Sequence, residues 1–446
     1  MLLTIEKLIY GGDGLARLPA DARGPGKAVF VPFVLDGEKI QAELTEQKSS
    51  FARAKAEAIL DPSPHRVQPE CPYFASCGGC QYQHASYEHQ LEIKKEILRE
   101  NLRRIAKLEL PCEIKLHPSP PWNYRNRARL QVRTKPEFVA GYFKLASHDV
   151  IAVEECPISS QLINRGIAAL WQSGRAGQVP EGVREVEFFA NADDTHLLAE
   201  LWCAAEARRA TVREWAANLL ATMAEIAGVV AFRAHQPGER AAIQQEIFLS
   251  DGEKSLTYQT QLAAYRVSAG AFFQTNRHLT GELVRLVTQG RKGDLALDLY
   301  AGVGLFSTVL ARDFHHVVSV EPSHPAATDL RYNLPVNGEV VEATTEQYLS
   351  RPEDRQRAGK EASVAHTVQK ADLVVVDPPR SGLGERVARA LANLGAPRLT
   401  YVSCDPATLA RDLVPLLAAG YQVEQAHLVD LFPHTHHLES VLQFVR

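Results

Sequence analysis

Three groups of residues in this chain could do covalent or metal chemistry. The first is a thiol, Cys404, in Ser403-Cys404-Asp405-Pro406-Ala407-Thr408-Leu409-Ala410-Arg411-Asp412. It follows the apolar run Leu399-Thr400-Tyr401-Val402, which places it where a buried strand ends and a loop begins. Ligands of open α/β sheets bind in the crevice beyond the strands' carboxyl ends, so a thiol there is set for chemistry; the alternative is a small residue packed at a strand end. The second group is Cys71-Pro-Tyr-Phe-Ala-Ser-Cys77-Gly-Gly-Cys80, whose three thiolates can take three corners of a metal site. Cys156, in Glu155-Cys156-Pro157, is the candidate fourth ligand, because a proline beside a ligand cysteine recurs in ferredoxin-type sites. Iron–sulfur and zinc both accept four thiolates, and spacing does not choose between them. The third group is acids at strand ends: Glu321 after Val317-Val318-Ser319-Val320, and Asp377 between Leu373-Val374-Val375-Val376 and Pro378-Pro379.

The segment before Glu321 runs as an apolar strand, Asp294 to Leu299, a turn Tyr300-Ala301-Gly302-Val303-Gly304, and then a helix. Glycines in such a turn let a ligand approach the backbone, and the lack of G-x-G-x-x-G disfavours a dinucleotide. An acid ending the next strand is where a ribose hydroxyl pair is held. Together these form the S-adenosylmethionine pattern. Asp-Pro-Pro followed by an aromatic is the arrangement of amino-group methylases; Arg380 stands in that place and argues against an exocyclic amine as acceptor.

The elements that must position these groups suggest several domains, since 446 residues exceed one core. The composition, 45% hydrophobic and 23% charged, is that of a soluble globular protein. The start of the chain has no long apolar run, so neither a secretory signal nor a membrane span is expected, and the location expected is cytoplasmic. Seven cysteines without a signal peptide do not suggest a disulfide framework. The net charge of −4 hides a local excess: residues 91 to 135 hold twelve Lys or Arg against five Glu, which suits phosphate.

Residues 1–60 read as short strands broken by Gly11-Gly12-Asp13-Gly14, a small barrel. A proline-rich linker and the cysteine run follow, then a helix over 87–106 that could pack on the catalytic domain. In Tyr124-Arg125-Asn126-Arg127-Ala128-Arg129-Leu130-Gln131-Val132-Arg133 a strand would put Arg125, Arg127, Arg129 and Arg133 on one face with Gln131 among them, either an RNA backbone contact or a merely solvated surface. Residues 161–265 give mixed α and β signals without chemistry. From 266 strands and helices alternate regularly.

Two resemblances follow. Gly11-Gly12-Asp13-Gly14-Leu15-Ala16-Arg17 and Val29-Phe30-Val31-Pro32 resemble the TRAM module. Phe272-Phe273-Gln274-Thr275-Asn276, Asp298 to Ser307, Asp377 to Gly382, Ser403 to Asp412 and His437-Leu438-Glu439-Ser440, in this order, closely resemble the RNA uridine C5-methyltransferase family. With the cysteines and barrel in front, the resemblance is to the branch that modifies 23S ribosomal RNA. It implies a multidomain fold: a TRAM/OB-like β-barrel over 1–60, an α+β RNA-binding central domain with a metal cluster over 61–265, and a Rossmann-like α/β methyltransferase domain over 266–446.

The resemblance also implies roles. Cys404 would be the nucleophile and Glu439 the base. Gln274, Tyr300, Gly302, Glu321 and Asp377 would bind S-adenosylmethionine, Phe272 would stack on the flipped base, and Arg125, Arg127 and Arg129 would contact RNA. Cys71, Cys77, Cys80 and Cys156 would hold a [4Fe-4S] cluster. Leu305 and Thr344-Thr345-Glu346 depart from the family pattern and leave those cofactor contacts unassigned. His434, His436 and His437 are irregularly spaced for a metal and suit pocket lining or surface. A monomer acting on 23S rRNA is expected; a tRNA uridine, or a non-catalytic redox-sensing RNA binder, are the other readings.

Overall fold

The computed structural model describes residues 1–19, 26–233, 246–350 and 371–446. At its N-terminus six strands pair in the order Leu2–Thr4, Lys39–Gln47, Phe51–Asp61, Ala28–Val31, Gly14–Arg17, Lys7–Leu8. Their alternating small and branched residues put Leu3, Val29, Val31, Ile40, Ala52 and Ala54 on a common core, as period-two patterning requires.

A seven-stranded sheet forms the middle of the chain, with Arg127–Arg133, Val183–Ala190 and Leu197–Cys203 at its centre. The helices Gln161–Arg175 and Arg209–Thr222 cover one face. Its other face shares a core with the hairpin 255–268 and the helix Thr280–Thr288: Phe189, Trp202 and Phe232 pack with Tyr258, Tyr265 and Leu283. The middle and catalytic parts therefore meet through apolar side chains rather than across a wet cleft.

The C-terminal sheet has eight strands, in the order Gly338–Val341, Phe314–Val320, Gly293–Leu299, Leu373–Val376, Arg398–Ser403, Glu439–Val445, Gln422–Val429, Ile114–His117. All neighbours run parallel except where Glu439–Val445 enters antiparallel between two others. The last strand in that order comes from far upstream, inside the stretch 61–265. Beside it the helix Tyr87–Ile105 buries Leu98 and Leu102 in the catalytic core. Its buried Lys94 donates to Asp430 Oδ1 at 2.6 Å and to the carbonyl of Phe432 at 2.9 Å, fixing the helix to the loop before the final strand. Among the described residues, no helix is long and apolar enough to cross a membrane.

Candidate active site

The glycine turn after Gly293–Leu299 has left-handed backbone at Tyr300, Gly302 and Gly304, with φ of 70°, 56° and 93°. Gly304 is required twice over, since a Cβ there would lie 2.8 Å from Leu330 Cδ1. The turn is tied to the next strand by Glu321, whose carboxylate accepts the N–H of Gly302 at 2.9 Å and that of Ser323 at 2.7 Å. Behind it Asp298 is fully buried and accepts from the amide of Ser307 at 3.0 Å and from its hydroxyl. The other oxygen of Asp298 has no partner, and burial pushes this carboxyl up to about 6.

The thiol lies at the far side of the same sheet edge. Ser403 pairs with Ser440 as the last pair of the antiparallel ladder, so Cys404 and Glu439 are the residues adjoining that pair, and the charge of Glu439 is felt at the thiol. Ser440 Oγ donates to the carbonyl of Ser403 at 3.2 Å, and Asp405 caps the following helix by accepting from Ala407 and Thr408. Burial, then the carboxylates of Glu439 and Asp377, push the Cys404 thiol up to about 12; Arg380 is the cation that opposes them. Glu439 is 3% exposed, its Oε1 has no partner, and its carboxyl is held well above the usual range by burial and then by Asp377. Asp377 is itself raised, by burial and then by Asp298. Three acids thus stand between the turn and the thiol with little positive charge to answer them, an arrangement that favours a bound cation.

The Asp-Pro-Pro turn is locked by a residue to which the sequence reading gave no role. Asp412 accepts the N–H of Leu383 at 2.6 Å and the hydroxyl of Tyr401 at 2.9 Å, while Arg411 bridges it to the carbonyl of Ser381 at 2.7 Å. The helix after Cys404 therefore holds the loop after Asp377. Its signal was the Arg-Asp pair ending the cysteine motif.

Phe272 is 66% exposed although its neighbours Ala271 and Phe273 are buried. The backbone around it is pinned from the middle sheet: Gly270 N–H donates to Glu200 at 2.9 Å, and Arg127 donates to the carbonyl of Ala271 at 2.9 Å. Asn126 donates to the carbonyl of Gln274, which is buried, at 3.1 Å. Held this way, the loop turns one aromatic ring outward.

The three arginines do not form the free cationic face that strand alternation suggested. The strand begins at Arg127, and cross-strand neighbours Phe189, Glu187 and Glu185 face Arg127, Arg129 and Gln131. Arg127 has a 12% exposed side chain, pairs with Glu187 and Glu200, and lies over the Phe189 ring. Arg129 pairs with Glu187 at 2.6 Å and covers Trp202. Arg125 lines the cysteine cavity with its Nε shut away and unpartnered. Arg127 is therefore answered inside the protein, while Arg129, 44% exposed, is paired with Glu185 and Glu187 at the surface.

That cavity, about 360 Å³, is lined by Cys71, Cys77, Cys80 and Cys156 together. Burial above all pushes the thiols of Cys77 and Cys80 up to about 11 and about 12, so thiolates there need a compensating cation. Among the described residues no three ligating side chains converge as they would on a single ion. The four thiols line one cavity together with Arg125, whose Nε is buried without a partner.

His434, His436 and His437 line the interior. Burial holds His434 and His436 down to about 4 and His437 to about 2, so all three are neutral at pH 7. The departures from the family pattern are also explained locally. Leu305 is 7% exposed in the shared apolar core, and Thr344 caps a short helix in a capping box with Gln347.

Comparison with known proteins decides the family. A model described as tRNA (Uracil-5-)-methyltransferase matches residues 86–446, and a TRAM domain model matches residues 1–56. The chain belongs to the RNA uracil-C5-methyltransferase family. It is 31% identical to an RNA methyltransferase of Aquifex aeolicus, over 98% of this chain and 97% of that one. It is 30% identical to the 23S rRNA (uracil(1939)-C(5))-methyltransferase of Shewanella amazonensis, over 99% and 95%. Among solved structures, the tRNA (uracil-54, C5)-methyltransferase of Pyrococcus abyssi with S-adenosyl-L-homocysteine aligns over 100% of both chains, with a TM-score of 0.74 and 24% identity. That likeness shows the fold. In this uracil methyltransferase the TRAM domain is the N-terminal sheet, and the eight-stranded sheet is the methyltransferase fold.

Proposed function

We propose that this chain methylates C5 of a uridine in 23S rRNA through a covalent adduct on Cys404. The observation that carries the reading is a thiol and a buried carboxyl, Cys404 and Glu439, each adjoining the Ser403–Ser440 pair that ends an antiparallel ladder of a methyltransferase sheet, with the charge of Glu439 felt at the thiol. C5 of uracil is a poor nucleophile. Attack of the Cys404 thiolate on C6 forms the Sγ–C6 bond and moves the C5–C6 π electrons toward C5 and O4. S-adenosylmethionine supplies the methyl group as a sulfonium electrophile. Glu439 then takes the C5 proton, the electron pair restores the C5–C6 double bond, and the Cys404 thiolate leaves.

Burial and the neighbouring carboxylates favour the neutral form of both groups, so the proton of each must pass to solvent before Cys404 attacks and Glu439 can act as a base. Asp377, once a bound cation answers its charge, ceases to raise the Cys404 thiol and the Glu439 carboxyl. Arg380 works in the same direction. Tyr300 and Gly302 in the glycine turn, Glu321 held by two amides at the place for a ribose, and Gln274 are the cofactor contacts of this reading. Phe272, turned outward on a pinned loop, is suited to stack on a flipped base.

We assign Cys71, Cys77, Cys80 and Cys156 as ligands of a [4Fe-4S] cluster, with Arg125 answering part of its negative charge. Brown colour and iron content after oxygen-free purification test this; stoichiometric zinc in its place contradicts it. The relative named for 23S rRNA favours that RNA. The solved Pyrococcus abyssi protein and the family's description favour tRNA as a second reading. Mass mapping of 5-methyluridine in both RNAs, with and without this protein, separates them: one lost rRNA site supports the proposal, and a lost tRNA site replaces it.

A further inference from the structure

We propose that Tyr10 of the TRAM domain is a positioning residue of the active site, fixing the backbone of the catalytic cysteine. This rests on the reading of Cys404 as nucleophile. The Tyr10 hydroxyl donates to the carbonyl oxygen of Cys404 at 3.1 Å, a contact between residues 394 positions apart. Burial, followed by the charge of Asp405, raises the Tyr10 phenol above its ordinary value, so it remains a donor at any working pH.

The turn that carries Tyr10 is seated against the catalytic loop by a chain of contacts. Its ring meets the edge of His436 at 5.6 Å and 80°. Gln81, next after Cys80, accepts from His436 N–H at 3.2 Å and lies 3.0 Å from its Nδ1, while its own amide donates to the carbonyl of Gly78 at 2.9 Å. The backbone N–H groups of Gln81 and Tyr82 both donate to the carbonyl of His434. Gly12, at φ 98°, presses on the same place: a Cβ there would stand 2.9 Å from Gln81 Cβ. Beneath these bonds Leu8 and Leu35 of the TRAM domain pack with Tyr82, Ile93 and Leu438, the last adjoining Glu439.

Three segments distant in sequence therefore close on one point: the TRAM turn, the segment leaving the cysteine cavity, and the loop entering Glu439. A domain whose only task was RNA affinity would have no need to bond the nucleophile's own peptide. The hydroxyl holds the carbonyl of residue 404 at the strand's end, where the ladder stops, and so fixes the direction from which Sγ meets C6. Small misplacements of a reacting atom are expensive in rate.

The test uses the full-length protein with Tyr10→Phe, which removes one oxygen. Two quantities are read: methyl-transfer kinetics on RNA, and the rate of Cys404 alkylation by iodoacetamide without RNA, normalised to Cys112 by peptide mass spectrometry. We expect kcat to fall about fivefold, KM for RNA to stay within about twofold, and the Cys404 to Cys112 alkylation ratio to change about threefold or more, as loss of one hydrogen bond to a constrained loop implies. An unchanged ratio with unchanged kcat overturns the proposal, as does a rise in KM alone, which would make Tyr10 an RNA contact. Alkylation needs no RNA, so a wild-type protein inactive on every uridine substrate defeats the proposed reaction without obscuring this result. Should Tyr10→Phe misfold, Gly12→Ala displaces the same turn without touching the hydroxyl; it should reproduce the shift in ratio, and an unmoved ratio in a folded Gly12→Ala protein counts against the idea.

Discussion

Two places in this molecule set thiols where they could do chemistry, and their company differs. At the catalytic edge a single thiol faces Glu439, Asp377 and Asp405, with Arg380 alone opposing them. In the middle of the chain four cysteines share a cavity with Arg125. Cys404 is raised by carboxylates as well as burial, whereas Cys71, Cys77 and Cys80 are raised by burial and by neighbouring cysteines. The catalytic thiol thus waits for positive charge to arrive with a ligand, whereas the cysteine cavity carries a built-in cation and suits a resident anionic group. Residue type alone does not make a cysteine reactive; the sign of the charge left unanswered around it does.

The largest expected effects test the catalytic half of that contrast. Cys404→Ala should abolish methyl transfer, whereas Glu439→Gln should slow turnover by about a hundredfold or more and accumulate a methylated RNA adduct, because loss of a general base strands the intermediate. Denaturing gel shift of the two variants reads this directly; an adduct in neither sinks the assignment of Glu439.

Next in size is a residue expected at the RNA surface and found inside. Arg127→Ala leaves the buried carboxylate of Glu200 unpaired and frees the carbonyl of Ala271. It should destabilise the protein by about 3 kcal/mol, as breaking buried pairs does. The slope of RNA affinity against salt should stay as in wild type. A lower slope with unchanged stability would return Arg127 to the RNA surface.

The cysteine half is sharpened by Arg125→Gln, which removes the cavity's cation and keeps a donor. Iron content or the lifetime of visible absorbance in air should fall about threefold, in keeping with loss of one partly buried charge interaction. An unchanged lifetime would mean that Arg125 plays no part in answering the charge of the proposed cluster.

The smallest effect concerns pH. Asp377 is raised in the folded chain, so its protonated form favours folding at low pH and its ionisation costs stability as pH rises past the unfolded value. Asp377→Asn should therefore raise the melting midpoint by about 2 °C near pH 8 and by less near pH 5, while lowering activity. The opposite pH trend would show that Asp377 is already paired.

Much of the site could be read along the chain. Strand periodicity ending just before Cys404, Asp377 and Glu321 located the sheet edge, and the glycine turn was legible as a strand-to-helix turn. What could not be read was who sits across from whom. Nothing near Arg127 announces Glu187 and Glu200, because cross-strand neighbours are set by register between segments far apart. For the same reason Ile114–His117 gave no hint that it joins Gln422–Val429 in the catalytic sheet, or Asp412 that it holds the loop after Asp377. Tyr10 reads as an ordinary turn residue until its hydroxyl is seen on Cys404.

The central claim is that Cys404 bonds to C6 of the target uridine. Its most direct test is intact mass and peptide mapping after incubation with S-adenosylmethionine and substrate RNA carrying 5-fluorouridine, whose fluorine cannot leave as a proton. The account predicts one methylated RNA adduct on the peptide containing Cys404, absent in Cys404→Ala. Normal methylation of uridine RNA with no adduct on the fluorinated RNA, or an adduct mapped to another cysteine, would contradict it.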